Sequence, residues 1–452
     1  MARLSRATWE GSEPAPVRMA HLGLGAFHRA HQAWWTGAVS GDDPWGIAAF
    51  TGRSAAAATV LAEQDGLFSL LVRAAEGDQA QVVPAISRTV DGADTGAFTT
   101  CLADPAIRVL TLTVTEAGYC RREDGGLDTG HPAVAADLRL LGRRAGGTES
   151  VRSAPGRVIA GLLRRCHVDA GPLAIVPCDN LTDNGGALRR VLLELADAVD
   201  PALTGWIEES VSFVSTAVDR ITPRTTEDDI DAAARLIGRT DRAPVVTEPF
   251  REWVLAGDFP GGRPAWEREG ARFVDDVTPY ERRKVWLLNG AHSILAYGGL
   301  LRGHATVADA VADEACRRWV CEWWDEASSH LPQPASTLAD YREQLLARFA
   351  NPRIRHLLSQ IAMDGSQKLR VRAIPVLRRE RAAGRRGGAA LRMVACWIAY
   401  LRSAPDDPHD PPAQRLRART RDMLALLDPN LAGEAELVAD LDELVAEHLE
   451  SE

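Results

Sequence analysis

The sequence predicts an α/β Rossmann-type N-terminal domain followed by a mostly α-helical C-terminal domain. Three observations carry this. Val17-Arg18-Met19-Ala20-His21-Leu22 reads as a short strand that runs into Gly23-Leu24-Gly25 and then into helix-forming residues to Gln32. Strand, glycine turn and helix together form the first unit of a dinucleotide-binding fold. Further short apolar runs rich in β-branched residues recur between helical stretches as far as residue 278. From Tyr280 onward the apolar spacing is near 3.6, strand-like alternation disappears, and Leu, Ala, Arg and Glu dominate. The turn residues Asp275-Asp276-Val277-Thr278-Pro279 mark the change, with Pro279 suited to a helix entry. Residues 1–279 are therefore expected to form the dinucleotide-binding Rossmann-type domain and 280–452 an α-helical domain.

Composition bounds the function. A chain of 452 residues exceeds one ordinary core. A formal charge of −10 disfavours nucleic acid as a partner, so an anionic ligand would need a local positive site. No apolar run is long enough to span a membrane, and the first residues lack the apolar core of a signal peptide. The seven cysteines contain no C-x-x-C pair. A reducing, cytoplasmic setting is expected, with most thiols acting as small core side chains.

In chain order, Gly23 would allow a tight turn, and Gly25 would let backbone N–H groups approach a pyrophosphate at a helix N-terminus. The pattern is G-x-G-x-x-H, without the third glycine, so an ordinary strand–helix turn reads equally well. Residues 45–50 form the second strand, where an acid would bind the adenosine ribose. Thr51-Gly52-Arg53-Ser54 follows instead, with no Asp before Asp65. Arg53 would accept a 2′-phosphate or be a solvated surface arginine. Gln64 to Val72 is extended, with residues 79–83 as its partner strand. Residues 107–115 form a buried strand ending at Glu116-Ala117-Gly118-Tyr119. Residues 173–177 form another, ending at Cys178-Asp179-Asn180, and a helix follows with Leu188, Val191, Leu192, Leu195, Ala196 and Val199 on one face. Residues 211–218 are the next strand, ahead of Asp219-Arg220. Asp219 would pair with Arg220 or orient a catalytic group. Residues 250–254 and 262–266 read as exposed connections. In the helical half, residues 362–368 (AMDGSQK) are a break. Residues 381–388 read as a mobile basic loop, and 403–412 as a proline-rich linker.

Lys284-Val285-Trp286-Leu287-Leu288-Asn289-Gly290-Ala291-His292 concentrates chemistry-bearing groups between apolar walls. Asn289 and His292 are three apart and share a helix face. On an α-helix Lys284 would lie roughly 140° from Asn289 and roughly 80° from His292, a gap its flexible stem can cover. Taken alone, the stretch is also consistent with a core helix whose lysine snorkels and whose histidine is merely hydrogen-bonded.

The Lys–Asn–His pattern in its L-L-N-G-x-H setting resembles the active-site helix of the polyol-specific long-chain dehydrogenase/reductase, or mannitol dehydrogenase, family. The segments G-x-G-x-F-H-R-A-H-Q, Q-D-G-L-F, T-x-T-E-x-G-Y, C-D-N-x-x-x-N-G, V-D-R-I-T-P and D-G-S-Q-K resemble further family motifs. These seven matches run in order from residue 23 to residue 368. Thr182-Asp183 departs from the family's usual Pro-His, which touches the loop rather than Asn180.

The resemblance implies a metal-independent dehydrogenase acting on a secondary alcohol. Lys284 would be its general base and acid, Asn289 and Asn180 its donors to the reacting oxygen, and His292 a substrate-orienting group. Glu281 would relay the proton or make a helix ion pair. Lys368, Asp219 and Arg372 would bind substrate. Gly23, Gly25, Phe27, His28, Arg53, Thr115 and Glu116 would line the cofactor site. NAD is the expected cofactor, with NADP not excluded. Motif detail at residues 360–368 is similar to the mannonate oxidoreductase branch, although Arg370 stands where that branch carries proline. The expected partner is a small sugar acid or polyol, with D-mannonate/D-fructuronate first and a mannitol- or arabinitol-type substrate second. A non-catalytic nucleotide-sensing protein on the same fold is the alternative of another class. The state expected is a monomer or small homo-oligomer, with neither nucleic acid nor membrane as partner.

Overall fold

The computed structural model describes residues 1–9, 13–39, 41, 43–52, 54–142, 150–403, 410–416 and 419–450. They fall into two compact units, Met1–Thr278 and Pro279–Glu452.

Among the described residues of the first unit, twelve strands occur in chain order. They are β1 (Val17–Leu22), β2 (Gly46–Phe50), β3 (Phe68–Ala74), β4 (Gly77–Val83), β5 (Ile86–Val90) and β6 (Val109–Leu112). The remainder are β7 (Leu173–Pro177), β8 (Val211–Phe213), β9 (Ser215–Asp219), β10 (Val245–Thr247), β11 (Glu252–Ala256) and β12 (Arg272–Phe273). The principal sheet has the order β5-β2-β1-β6-β7-β8 and is parallel throughout. That is the doubly wound dinucleotide-binding order, with its topological switch point between β1 and β6. β2 and β7 are buried along their whole length, as strands covered on both faces must be. Each large apolar side chain so buried contributes about 1.5–3 kcal/mol.

Two expectations for this unit change. The run 211–218 is not one strand. It divides at Val214, whose N–H donates to the Ile175 carbonyl at 2.9 Å. β8 before it stays on the parallel sheet, and β9 after it pairs antiparallel with β11 in a separate small sheet. The run 211–218 holds no glycine, proline, Asn or Asp to mark such a change of sheet. The segments around Trp253 and Trp266 are not exposed connections either. Both indoles are fully buried, with ring centroids 4.5 Å apart, and β11 packs its Trp253-Val254-Leu255 side chains into the core.

The second unit is helical among its described residues. A long helix runs as α-helix Thr278–Arg283, π-turn Lys284–Asn289 and α-helix Gly290–Leu301. The break expected at residues 362–368 narrows to Met363 and Asp364. Helix Leu358–Ala362 precedes it, and Gly365–Arg372 is already helical. The basic segment 381–388 is held rather than loose. Arg385 pairs with Glu380, Arg386 with Asp440, and helix Gly388–Ser403 starts at its end. Most of the linker expected at 403–412 lies outside the described residues. No described helix is long and apolar enough to cross a membrane.

Candidate active site

In the first unit, candidate cofactor residues gather at the carboxyl edge of the parallel sheet. Gly23 follows β1 with φ +110°, and a Cβ there would lie 2.2 Å from the Thr113 carbonyl oxygen, so only glycine fits. The N–H groups of Gly23 and Leu24 both donate to the Phe50 carbonyl at 2.9 Å, tying the turn to the end of β2. Gly25 caps the next helix and has no side chain to satisfy its first N–H groups. A Cβ on Gly25 would meet nothing nearer than the Gly23 oxygen at 3.6 Å, an ordinary contact. Internal packing therefore leaves this position open on its outer side, which suits a pyrophosphate lying against bare backbone.

The helix behind the turn is α-helical over Ala26–His28, a π-turn over Arg29–Ala33 and α-helical again over Trp34–Ala38. Phe27 is half-buried and stacks on His31 at 5.0 Å. His28 is fully buried and lies flat on His21 at 3.4 Å. The His21 ring nitrogens bond the Thr111 and Thr113 hydroxyls at 2.8 and 3.1 Å. Burial lowers the His21 pKa to about 3 and also drives that of His28 well below its ordinary value, with His21 adding to the latter. His28 thus supports the turn from beneath. Arg53 lies outside the described residues.

Thr115 and Glu116 are exposed just beyond β6, and Asn180 is exposed just beyond β7. β6 and β7 are neighbours, with Leu112 opposite Pro177. A hydrogen bond from the Tyr119 hydroxyl to Asp179 joins the two loops. Burial raises both pKa values, so a proton is retained on the phenol beside a carboxylate that is itself costly to charge. Asn184, which sequence reasoning placed only in a motif, holds the next layer. Its side chain accepts from Thr216 N–H at 2.9 Å and donates to the Thr216 carbonyl at 3.2 Å. Asp219 is buried at the end of β9. Arg220 turns elsewhere: it donates to the Ala30 carbonyl at 2.6 Å, and its guanidinium faces the Trp34 ring at 5.1 Å.

In the second unit the π-turn changes the geometry expected of the lysine helix. A π-turn bonds i to i+5, so Lys284 and Asn289 stand one turn apart instead of roughly 140° apart on an α-helix. Two indoles from helix Glu314–Ser328 reach the turn's carbonyls. Trp323 donates to Trp286 O at 2.7 Å and Trp324 to Leu287 O at 2.8 Å. Gly290 leaves room for them, since a Cβ there would lie 2.5 Å from Trp323 Nε1. Sequence reasoning missed these tryptophans. Their only signal is an adjacent Trp pair on an amphipathic helix.

His292 is 7% exposed, its ring lies 4.8 Å from Phe349 and 5.0 Å from His356, and its Nε2 has no hydrogen-bond partner among the described residues. Its pKa falls well below the ordinary value, first through burial and then through His356, Arg372, Arg348 and Lys284. Arg372 donates to the Asn289 carbonyl at 3.1 Å and to the Ser293 hydroxyl at 2.9 Å. Lys284, Asn289, His292 and Arg372 are thereby brought together, with Glu281 buried one turn before Lys284. Lys368 donates to the Ile361 and Met363 carbonyls at 3.0 and 2.5 Å, closing the end of helix Leu358–Ala362. Burial, and then Arg372, lowers its pKa. Among the described residues, one His–Cys–carboxylate group has a metal-like arrangement, His304, Asp313 and Cys316. Asp313 there already accepts from Arg302 and from the backbone of Ala315 and Cys316.

Comparison with known proteins adds the following. Residues 17–268 match the mannitol dehydrogenase Rossmann domain and residues 276–450 the mannitol dehydrogenase C-terminal domain. The chain is 35% identical over 415 residues to D-mannonate oxidoreductase of Escherichia coli, covering 89% of this chain and 83% of that one. It is 37% identical over 399 residues to D-arabinitol 4-dehydrogenase of Ralstonia nicotianae, covering 86% and 83%. Pseudomonas fluorescens mannitol 2-dehydrogenase, solved as a ternary complex with NAD and D-mannitol, superposes with a TM-score of 0.83 at 32% identity, covering 98% of this chain and 94% of that one.

Proposed function

Because the chain belongs to the mannitol dehydrogenase family of oxidoreductases, we propose that it interconverts D-mannonate and D-fructuronate with a nicotinamide dinucleotide, NAD in preference. A nicotinamide dinucleotide held at the Gly23–Gly25 turn would supply the acceptor for the hydride of the carbinol carbon. Lys284 takes the hydroxyl proton, supplying the base that a metal-bound hydroxide supplies elsewhere. Asn289 and Asn180 donate to the oxygen as it gains alkoxide character. The neutral His292 imidazole hydrogen-bonds and orients the substrate, and Glu281 passes the proton outward. Asp219, Arg372 and Lys368 hold the remaining substrate groups. In ketone reduction Lys284 returns the proton.

The observation that carries the sugar-acid assignment is charge. Lys284, Arg348 and Arg372 all press on His292, and Arg372 also presses on Lys368. Asp364 and Asp410 act on Lys368 in the opposite sense, and in a chain of net charge −10 these cations would supply the charge-assisted donors that a substrate carboxylate needs. One observation favours a neutral polyol of the mannitol–fructose type instead. Lys368 and Arg372 already donate to carbonyl and hydroxyl oxygens of the protein. Measuring kcat/KM for fructuronate and fructose under identical conditions decides between them. The sugar-acid assignment expects a clear preference for fructuronate, and a preference for fructose refutes it while leaving the lysine chemistry in place.

A further inference from the structure

β2 ends at Phe50 and leads into Thr51-Gly52, and no carboxylate follows before Glu63. In dinucleotide-binding sheets this strand end is where an acid meets the adenosine ribose. Here the neighbouring strand presents one. β2 and β5 run parallel with Phe50 opposite Val90, so Thr51 and Asp91 leave the sheet side by side at its carboxyl edge. The Thr51 hydroxyl donates to Asp91 Oδ1 at 3.3 Å and accepts the Gly92 N–H at 2.9 Å, while Ala93 N–H donates to the same Oδ1 at 3.0 Å. The two loops are pressed together, since a Cβ on Gly92 would lie 1.7 Å from the Thr51 carbonyl oxygen. Asp91 is therefore fixed through Oδ1, and its side chain is exposed. The nearby cation, Arg157, is tied to backbone, donating to Gly52 O at 2.9 Å and to Val151 O at 3.2 Å.

We propose that Asp91 is the specificity-determining acid for the adenosine end of the cofactor, displaced by one strand from its usual place. Its carboxylate accepts from the ribose hydroxyls of NAD, and its charge repels the 2′-phosphate of NADP. This rests on the dinucleotide reading above. Like charges brought together at a binding site cost enough to separate two ligands by at least about tenfold in affinity.

The test is direct binding of NAD+ and NADP+ to the full chain, followed by quenching of its tryptophan fluorescence, for wild type, Asp91→Asn and Asp91→Lys. Asparagine keeps an oxygen acceptor for Thr51 and Ala93 and removes only the charge. The expected result is that wild type binds NAD+ at least about tenfold more tightly, that Asp91→Asn closes most of this gap with an unchanged melting temperature, and that Asp91→Lys moves it further toward NADP+. An NAD+/NADP+ affinity ratio equal in all three folded proteins overturns the role of Asp91 and leaves the dinucleotide reading intact. Failure of wild type to bind either dinucleotide overturns both.

Discussion

His21 and His28 lie stacked and fully buried beneath the glycine turn, so the fold requires both rings to be neutral. The sign of the resulting pH dependence follows from linkage. The folded pKa of His21 is lowered to about 3 from 6.5, so between these values the unfolded chain binds a proton that the folded chain does not. The stabilisation is complete above pH ~6.5 and is lost as the pH falls toward ~3, at up to about 1.4 kcal/mol per pH unit. Replacing His21 by Gln should flatten the dependence of the denaturation midpoint on pH across this window. An unchanged slope would show that other groups control it. At the same scale, Lys284→Ala should lower turnover roughly 100- to 10,000-fold while dinucleotide affinity stays near wild type. Wild-type turnover in the purified variant removes Lys284 from the chemistry.

The element that most affects the candidate chemistry is the π-turn Lys284–Asn289. Its two indole donors fix carbonyls inside the turn. Trp323→Phe keeps most of the packing but leaves the Trp286 carbonyl without that bond. A loss of about 1–3 kcal/mol is expected from the unmet buried acceptor, read as a lower denaturant midpoint at constant m. If the turn also sets the Lys284–Asn289 spacing, kcat should fall more than KM rises, and equal activity per folded molecule would show that the turn is only structural. This element also marks where sequence reading stops. Lys284, Asn289 and His292 were legible as a constellation because their residue types and order carry the resemblance. The extra residue in the turn was not legible, because an apolar pattern read at 3.6 per turn cannot register one inserted position whose partners lie 37 residues away. β1, β2 and β7 were legible as apolar runs bounded by turn residues. The break at Val214 was not, because no turn residue marks it within residues 211–218. Nor was the closeness of Asp91 to Thr51, which arises from strand order and not from chain order.

At the scale of the whole chain, a net charge of −10 repels an anionic substrate at long range, while the cationic groups around His292 and Lys368 attract it at short range. Salt screens the two terms unequally. Exposed charges lose most of their mutual effect within a Debye length of about 10 Å at 0.1 M, whereas partly buried groups are screened much less. For a neutral ketose neither term acts, so KM should be nearly flat with ionic strength. If fructuronate is bound through a charge-assisted contact at the half-buried Arg372, salt screens the long-range repulsion more than that contact, so KM should fall about two- to threefold between roughly 0.02 and 0.5 M salt, with kcat nearly unchanged. Arg372→Gln should raise KM for fructuronate alone and leave that salt dependence, which comes from the net charge, in place. An Arg372→Gln effect that is the same on both substrates would exclude a carboxylate contact at this position and favour the neutral polyol.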